Sequence, residues 1–243
     1  MILISVIENN ARHLKIITEH LQENPNYRLL STATNGFEFL KFCYSNKQLP
    51  DIALIDIEMD VMDGVTLVDF LNQFYPSIKC IAVSSHNHKE IIEAMMACGA
   101  MGFVFKLFTI DENLLNPQLL GLTNKFETID AAIETVIANV FYLDKLIERS
   151  EKEMVKHLNR ETLLAKCQQQ RNANAVFNLT LHEYEILLLC AGSNSKLDEI
   201  ATLLSKSIQS LKLLLSGIYK KWILQIEQNL FFCVIEKALQ KLL

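Results

Sequence analysis

Five short apolar runs punctuate the first hundred or so residues: ILISVI (2–7), YRLLSTA (27–33), IALI (52–55), CIAVS (80–84) and GFVF (102–105). Between them ARHLKIITEHLQ, FEFLKFCYS, VTLVDFLNQF and HKEIIEAMMACGA carry apolar residues at helical spacing. Strands that are apolar without alternation are buried on both faces. Their alternation with helices predicts a parallel sheet covered on each side. Pro25, Pro50, Pro76 and Gly99 fall between the elements, where they interrupt neither ladder nor helix.

Beyond Lys106 the pattern loosens. Residues 107–127, with Pro117 and Gly121, read as an irregular insertion whose leucines pack on something. A long helical pattern starts near Thr128. Its first half (Ile129, Ile133, Val136, Ile137, Val140) has an apolar face wide enough to close the sheet domain, while its charged second half keeps a thin stripe at Ile147, Met154 and Leu158. QQQRNANA (168–175) reads as a linker. After it every pattern is helical: Thr180 and Glu183 form a capping box before LTLHEYEILLLCA, followed by DEIATLL, SIQSLKLLLSGIYKKW and a final amphipathic LFFCVIEKALQKLL. Helix, short turn and helix of this size have helix-turn-helix geometry. The expected division is 1–147 for the sheet domain, 148–177 for a helical and polar linker, and 178–243 for the helix-turn-helix.

Composition narrows the function. Of 243 residues, 50% are hydrophobic and 21% charged, which supplies a core easily, and the net charge of −5 does not advertise nucleic-acid binding. No apolar run reaches the 18 or so residues of a membrane span, and MILISVIENN has no basic leader, so a cytoplasmic protein without membrane attachment is expected. Cys43, Cys80, Cys98, Cys167, Cys190 and Cys233 show no C-x-x-C spacing and read as reduced packing residues.

The candidate chemistry lies at the strand ends. In a parallel sheet all strands finish at one edge, so residues just past them converge. That edge collects Glu8 and Asn9, Asp56, Ser84 and Ser85, and Lys106. Two carboxylates close together repel unless a cation sits between them, and an oxygen-rich corner suits Mg²⁺. Asp56 could then attack an activated phosphoryl group, with Lys106 and the Ser84 hydroxyl taking up the developing charge. Taken singly, Glu8-Asn9-Asn10 is a good strand exit and helix cap, and Ser84 and Lys106 are ordinary surface residues. Their order along one sheet edge is what favours chemistry. His86 and His88 read as loop residues rather than metal ligands.

DIALIDIEMDVMDG (51–64), together with Ser84, Phe103 and Lys106, resembles the receiver domain of two-component response regulators, over about residues 1–106 plus the closing helix. The resemblance implies an α/β, flavodoxin-like (βα)5 fold with a five-stranded parallel sheet. It makes Asp56 the phosphoacceptor, Ser84 the switch hydroxyl, Lys106 the conserved-type lysine and Phe103 the switch aromatic. Glu8, Asn9, Asp56 and the Glu58 carbonyl would hold Mg²⁺, and a histidine kinase would be the phosphoryl donor. Two residues depart from the family: Asn9 stands where an Asp is usual, which should weaken Mg²⁺ binding, and Met59-Asp60 replaces Met-Pro.

Residues 178–243 resemble the DNA-binding domain of NarL/LuxR-type regulators through Leu179-Thr180, Glu183-x-Glu185-Ile186-Leu187, Glu199-Ile200-Ala201 and Ser207-x-x-Ser210-Leu211-Lys212. This resemblance implies an all-α domain that meets DNA with Gln209, Ser210 and Lys212 at the groove and Lys206, Lys220 and Lys221 on phosphates, and it makes a homodimer the expected assembly. From residue 176 onward, however, seven lysines face six acids and arginine is missing. Leu211, Leu215, Ile218 and Trp222 already form the buried stripe, so Leu213 and Leu214 are surplus apolar surface and DNA electrostatics should be weak. Two functions are therefore carried forward, both non-enzymatic: a phosphorylated transcription regulator, and a phosphorylation-independent receiver protein acting by protein-protein interaction. A small metal-dependent enzyme built on Asp56 is a third, for which no substrate-pocket motif is present.

Overall fold

The computed structural model describes residues 1–85, 89–109, 126–144 and 179–223. The expected linker (148–177), most of the insertion, His86, His88, Cys167, Cys233 and the final amphipathic stretch lie outside the described residues.

Strands β1 (Ile2–Ile7), β2 (Tyr27–Ala33), β3 (Ile52–Asp56), β4 (Lys79–Ser84) and β5 (Gly102–Phe105) alternate with helices α1 (Ala11–Glu23), α2 (Gly36–Ser45), α3 (Gly64–Phe74), α4 (Lys89–Ala97) and α5 (Glu127–Ile137). All strand pairs are parallel. The order β2-β1-β3-β4-β5 is that of a flavodoxin-like sheet. Side chains of the central strands alternate between two cores. Ala53, Ile55, Cys80 and Ala82 join the core under α2, α3 and α4, whereas Ile52, Leu54, Ile81 and Val83 join the one under α1 and α5. Both sets are essentially without solvent exposure. That is why these strands read as unbroken apolar runs, each buried Ile or Leu contributing roughly 1.5–3 kcal/mol. Cys43, Cys80 and Cys190 are buried and Cys98 is half-buried, in keeping with packing roles.

Local chemistry sets the helix starts. The Asn10 side chain accepts the Arg12 and His13 amides, Asn35 accepts Glu38 N–H, and Asp63 accepts Thr66 N–H. The ends of α4 and α5 share a device. Gly99 (φ 108°) and Asn139 (φ 64°) adopt left-handed conformations, and the amides that follow reach back five residues, Ala100 to Met95 and Val140 to Thr135.

The second of these turns corrects two expectations. The helix that begins near Thr128 stops at Ile137, before the charged half of the pattern is reached. Val140, expected on its apolar face, is 55% exposed. The chain instead turns at Asn139 and lays a sixth strand, β6 (Tyr142–Leu143), parallel to β5. Five predicted strands thus become six. The Asp144 carboxylate then accepts the Phe105 amide at 3.1 Å, completing that edge.

The C-terminal part forms three helices, α6 (Leu181–Gly192), α7 (Leu197–Leu203) and α8 (Ile208–Ile223). Thr180 and Glu183 make the reciprocal capping box expected of them. Ser205 (φ 53°) ends α7 with the same five-residue reach, from Lys206 to Ala201, and so sets the turn into α8. Leu211, Leu215 and Ile218 are buried as expected. Leu214, expected as surplus surface, packs partly against the core, while Leu213 is 67% exposed. The three helices rest on the α2/α3 side of the sheet. Tyr44 hydrogen-bonds Glu185, the Asn194 amide donates to the Val61 carbonyl at 2.6 Å, and Gly192 lies against Thr66. Among the described residues no helix is long and apolar enough to cross a membrane.

Candidate functional site

The carboxyl ends of β1, β3, β4 and β5 deliver Glu8, Asp56, Ser84 and Lys106 to one edge of the sheet. All four are buried, at 1%, 8%, 3% and 2% exposure. The Lys106 ammonium sits 2.7 Å from Asp56 Oδ1 and 2.7 Å from Glu8 Oε2, so one cation joins two acids brought from the neighbouring strands β1 and β3. Its backbone is fixed by an N–H bond to the Ser84 carbonyl at 2.7 Å. Asp56 Oδ1 also accepts the Ile57 amide at 2.9 Å, and Glu8 Oε1 accepts the Asn10 amide at 3.1 Å. Phe103 is wholly buried, on the strand that pairs with β4 and points its next residues toward the corner.

Two residues here escaped the sequence reading. His13, in the first turn of α1, brings Nδ1 to 3.7 Å from Glu8 Oε1 and stands edge-on to Phe108. Burial, and behind it the Lys106 charge, pushes its pKa down and so favours the neutral ring. Gly64 opens α3 directly under the corner, where a Cβ would lie 2.2 Å from the Asp56 carbonyl oxygen. Its amide donates to Ile57 O at 2.9 Å. A Gly ending an acidic loop before an apolar helix is the only signal the sequence offered for it.

Burial pushes the Glu8 carboxyl up to about 7, with Lys106 opposing and the Asp56 charge adding to the rise. A raised folded-state pKa means that the native protein holds a proton the unfolded chain has released. Glu8 therefore supports stability fully below its usual 4.5, and that support is lost as pH rises to about 7. Urea unfolding at pH 5 and pH 8 should show a larger fall for wild type than for Glu8→Gln; an unchanged slope in the variant would contradict the assignment.

The fit to a divalent cation is chemical but short of charge. Glu8, Asp56 and the Glu58 carbonyl offer hard oxygens of the kind Mg²⁺ takes. Asn9, however, donates its side-chain amide to the Glu58 carbonyl at 2.9 Å. Among the described residues no group of three or more His, Cys, Asp or Glu side chains is placed to hold a metal ion.

The second set of candidates lies on and around α8. Gln209, Ser210, Lys212 and Lys220 are exposed and Lys206 is half-buried. Ser210 is engaged with Ser207, hydroxyl to hydroxyl at 2.8 Å. Lys221 points inward to Glu183, with Nζ 2.8 Å from both carboxylate oxygens. That pairing neutralises the charge the sequence reading had turned toward phosphates.

The sheet is flavodoxin-like in its strand order, and its carboxyl edge carries the acid-lysine corner. Residues 4–116 match the family described as response regulator receiver domain, and this part of the chain is a receiver domain. Among curated proteins, the protein-glutamate methylesterase/protein-glutamine glutaminase 3 of Geobacter sulfurreducens is 32% identical over 101 residues, 42% of this chain and 26% of that protein. The corresponding protein of Halalkalibacterium halodurans is 35% identical over 104 residues, 42% of this chain and 29% of its own length. The chain thus spans under a third of these relatives. A crystal structure of a LuxR-family two-component response regulator from Aurantimonas sp. SI85-9A1 superposes with TM-score 0.51 at 16% identity, over 63% of this chain and 97% of the other, a likeness of fold.

Proposed function

We propose that the protein is a cytoplasmic two-component response regulator that accepts a phosphoryl group on Asp56 from a partner histidine kinase and passes the change to its C-terminal helix-turn-helix. The observation that carries this reading is the Lys106 ammonium 2.7 Å from both Asp56 and Glu8 in a buried corner. The lysine and the Ile57 amide both engage Asp56 Oδ1, which leaves Oδ2 as the attacking oxygen. As the new O–P bond forms, the donor's bond to phosphorus breaks and its leaving group departs with that electron pair. Lys106 offsets charge on the phosphoryl oxygens, and the Ser84 hydroxyl donates to one of them. A Mg²⁺ held by Glu8, Asp56 and the Glu58 carbonyl, with Asn9 beside it, would add positive charge there. Drawing Ser84 toward the phosphoryl group leaves room for Phe103 to shift. The face made by α4, β5 and α5 then changes shape, favouring a homodimer or release of the C-terminal helices.

The output proposed is transcription control, with Gln209, Ser210 and Lys212 at DNA and Lys206 and Lys220 on its backbone. The methylesterase relatives are matched over 26% and 29% of their length, so their named activity is not carried over, and the reading is of a regulator rather than an enzyme. Treatment with acetyl phosphate and Mg²⁺, followed by intact mass measurement, should add one phosphoryl group to wild type and none to Asp56→Asn. No gain in wild type, or an equal gain in the variant, defeats the phosphoacceptor reading.

A second reading is favoured by Leu213, 67% exposed, and by the Lys221–Glu183 pair. In it α8 binds another protein and DNA contact is weak. Retention on DNA that drops steeply with salt supports the first reading; absence of retention at low salt supports the second.

A further inference from the structure

The amide of Asn9 stands where the sequence led us to look for a metal ligand, and it faces the wrong way for one. Its nitrogen donates to the Glu58 carbonyl at 2.9 Å. The reverse orientation would set two oxygens against each other at that separation, which only a cation between them could reconcile. The same problem would face an Asp at this position. Asn9 therefore makes, with a neutral N–H, the bridge between β1 and the loop after Asp56 that a carboxylate could make only through a bound ion.

The rest of that loop is also tied down by the chain itself. Ile57 N–H goes to Asp56 Oδ1, Gly64 N–H to Ile57 O at 2.9 Å, Met62 N–H to Asp60 O at 2.8 Å, and Gly36 N–H to Met62 O at 3.1 Å. The loop's left-handed residue, Val61 (φ 68°), offers its carbonyl to Asn194 in the turn between α6 and α7. The positive charge of the corner is likewise internal, supplied by Lys106.

We propose that Asn9 replaces the divalent cation as the clamp on the phosphoacceptor loop, so that the resting receiver holds its closed geometry without metal and Mg²⁺ binds only by displacing the Asn9 amide. This deepens the phosphoacceptor reading of the same site and rests on it for the site's purpose, but its test needs no phosphoryl donor. Mn²⁺ is titrated into the full chain and free ion is read by electron paramagnetic resonance, while amide exchange across residues 57–63 is followed by mass spectrometry in EDTA and in millimolar Mg²⁺.

Asn9→Asp, which adds the missing charge, should bind Mn²⁺ at least about tenfold more tightly than wild type. Its loop should exchange faster in EDTA and slow when Mg²⁺ is added, whereas the wild-type loop exchanges alike in both. Asn9→Ala removes the bridge without adding charge, so its loop should exchange faster than wild type in EDTA. Equal Mn²⁺ affinity for wild type and Asn9→Asp, equal slowing of both loops by Mg²⁺, or a wild-type loop in Asn9→Ala each overturns the proposal. Failure of acetyl phosphate to label Asp56 would defeat the phosphoacceptor reading and leave these binding and exchange results standing.

Discussion

Lys106→Met should lose about 3–5 kcal/mol of stability, the range for removing one partner from a buried ion pair. Methionine keeps the apolar stem, so the loss comes from charge rather than from a hole. Without the ammonium, Glu8 and Asp56 remain as two buried acids, and the pressure on Glu8 to hold its proton grows. The deficit should consequently shrink as pH falls, because protonating Glu8 removes the repulsion. Urea denaturation of wild type and variant at pH 5 and pH 8 measures both effects. A loss below about 1 kcal/mol at pH 8 would put Lys106 among weakly contributing surface charges and would contradict its 2.7 Å contacts with both acids.

Gly64→Ala should be nearly as damaging, at about 3 kcal/mol, the upper part of the range for forcing atoms into a filled site. The added Cβ would meet the Asp56 carbonyl oxygen at 2.2 Å and Ile57 Cα at 2.9 Å. Both are backbone atoms and have no rotamer with which to move aside. Helix α3 would have to lift from the end of β3, and the Gly64 to Ile57 hydrogen bond would stretch with it. Phosphorylation by acetyl phosphate should slow in the same variant, because the strain falls on the phosphoacceptor's own peptide. A midpoint of unfolding within error of wild type would show that the helix start has slack the geometry does not suggest.

How much of this was legible follows from where the information sits. The strands stood out because burial on both faces leaves a run such as Ile52 to Ile55 with no polar interruption. The start of the C-terminal helices stood out because Thr180 and Glu183 cap each other three residues apart. The meeting of Glu8, Asp56 and Lys106 could be anticipated from topology alone, since parallel strands share an edge. What stayed hidden was orientation and long-range pairing. Asn9 announces an amide without saying which of its atoms faces Glu58. Lys221 and Glu183 are 38 positions apart and find each other only when α6 and α8 pack. The stop of α5 was written in Asn139, but the apolar Val140 beside it kept the helical period running. Two residues of strand after a left-handed turn are too few to carry a period of their own.

That short strand has an effect on self-association. A sheet edge with a row of unused amides is a template on which another copy can add its own strand. Along β5 the template is already taken: Tyr142 and Asp144 donate to Met101 and Phe103, and the Asp144 carboxylate occupies the Phe105 amide. Two residues and one acid are enough to close this margin against fibre-like growth. What remains of this edge among the described residues is the two-residue β6, too short to template a strand from another copy.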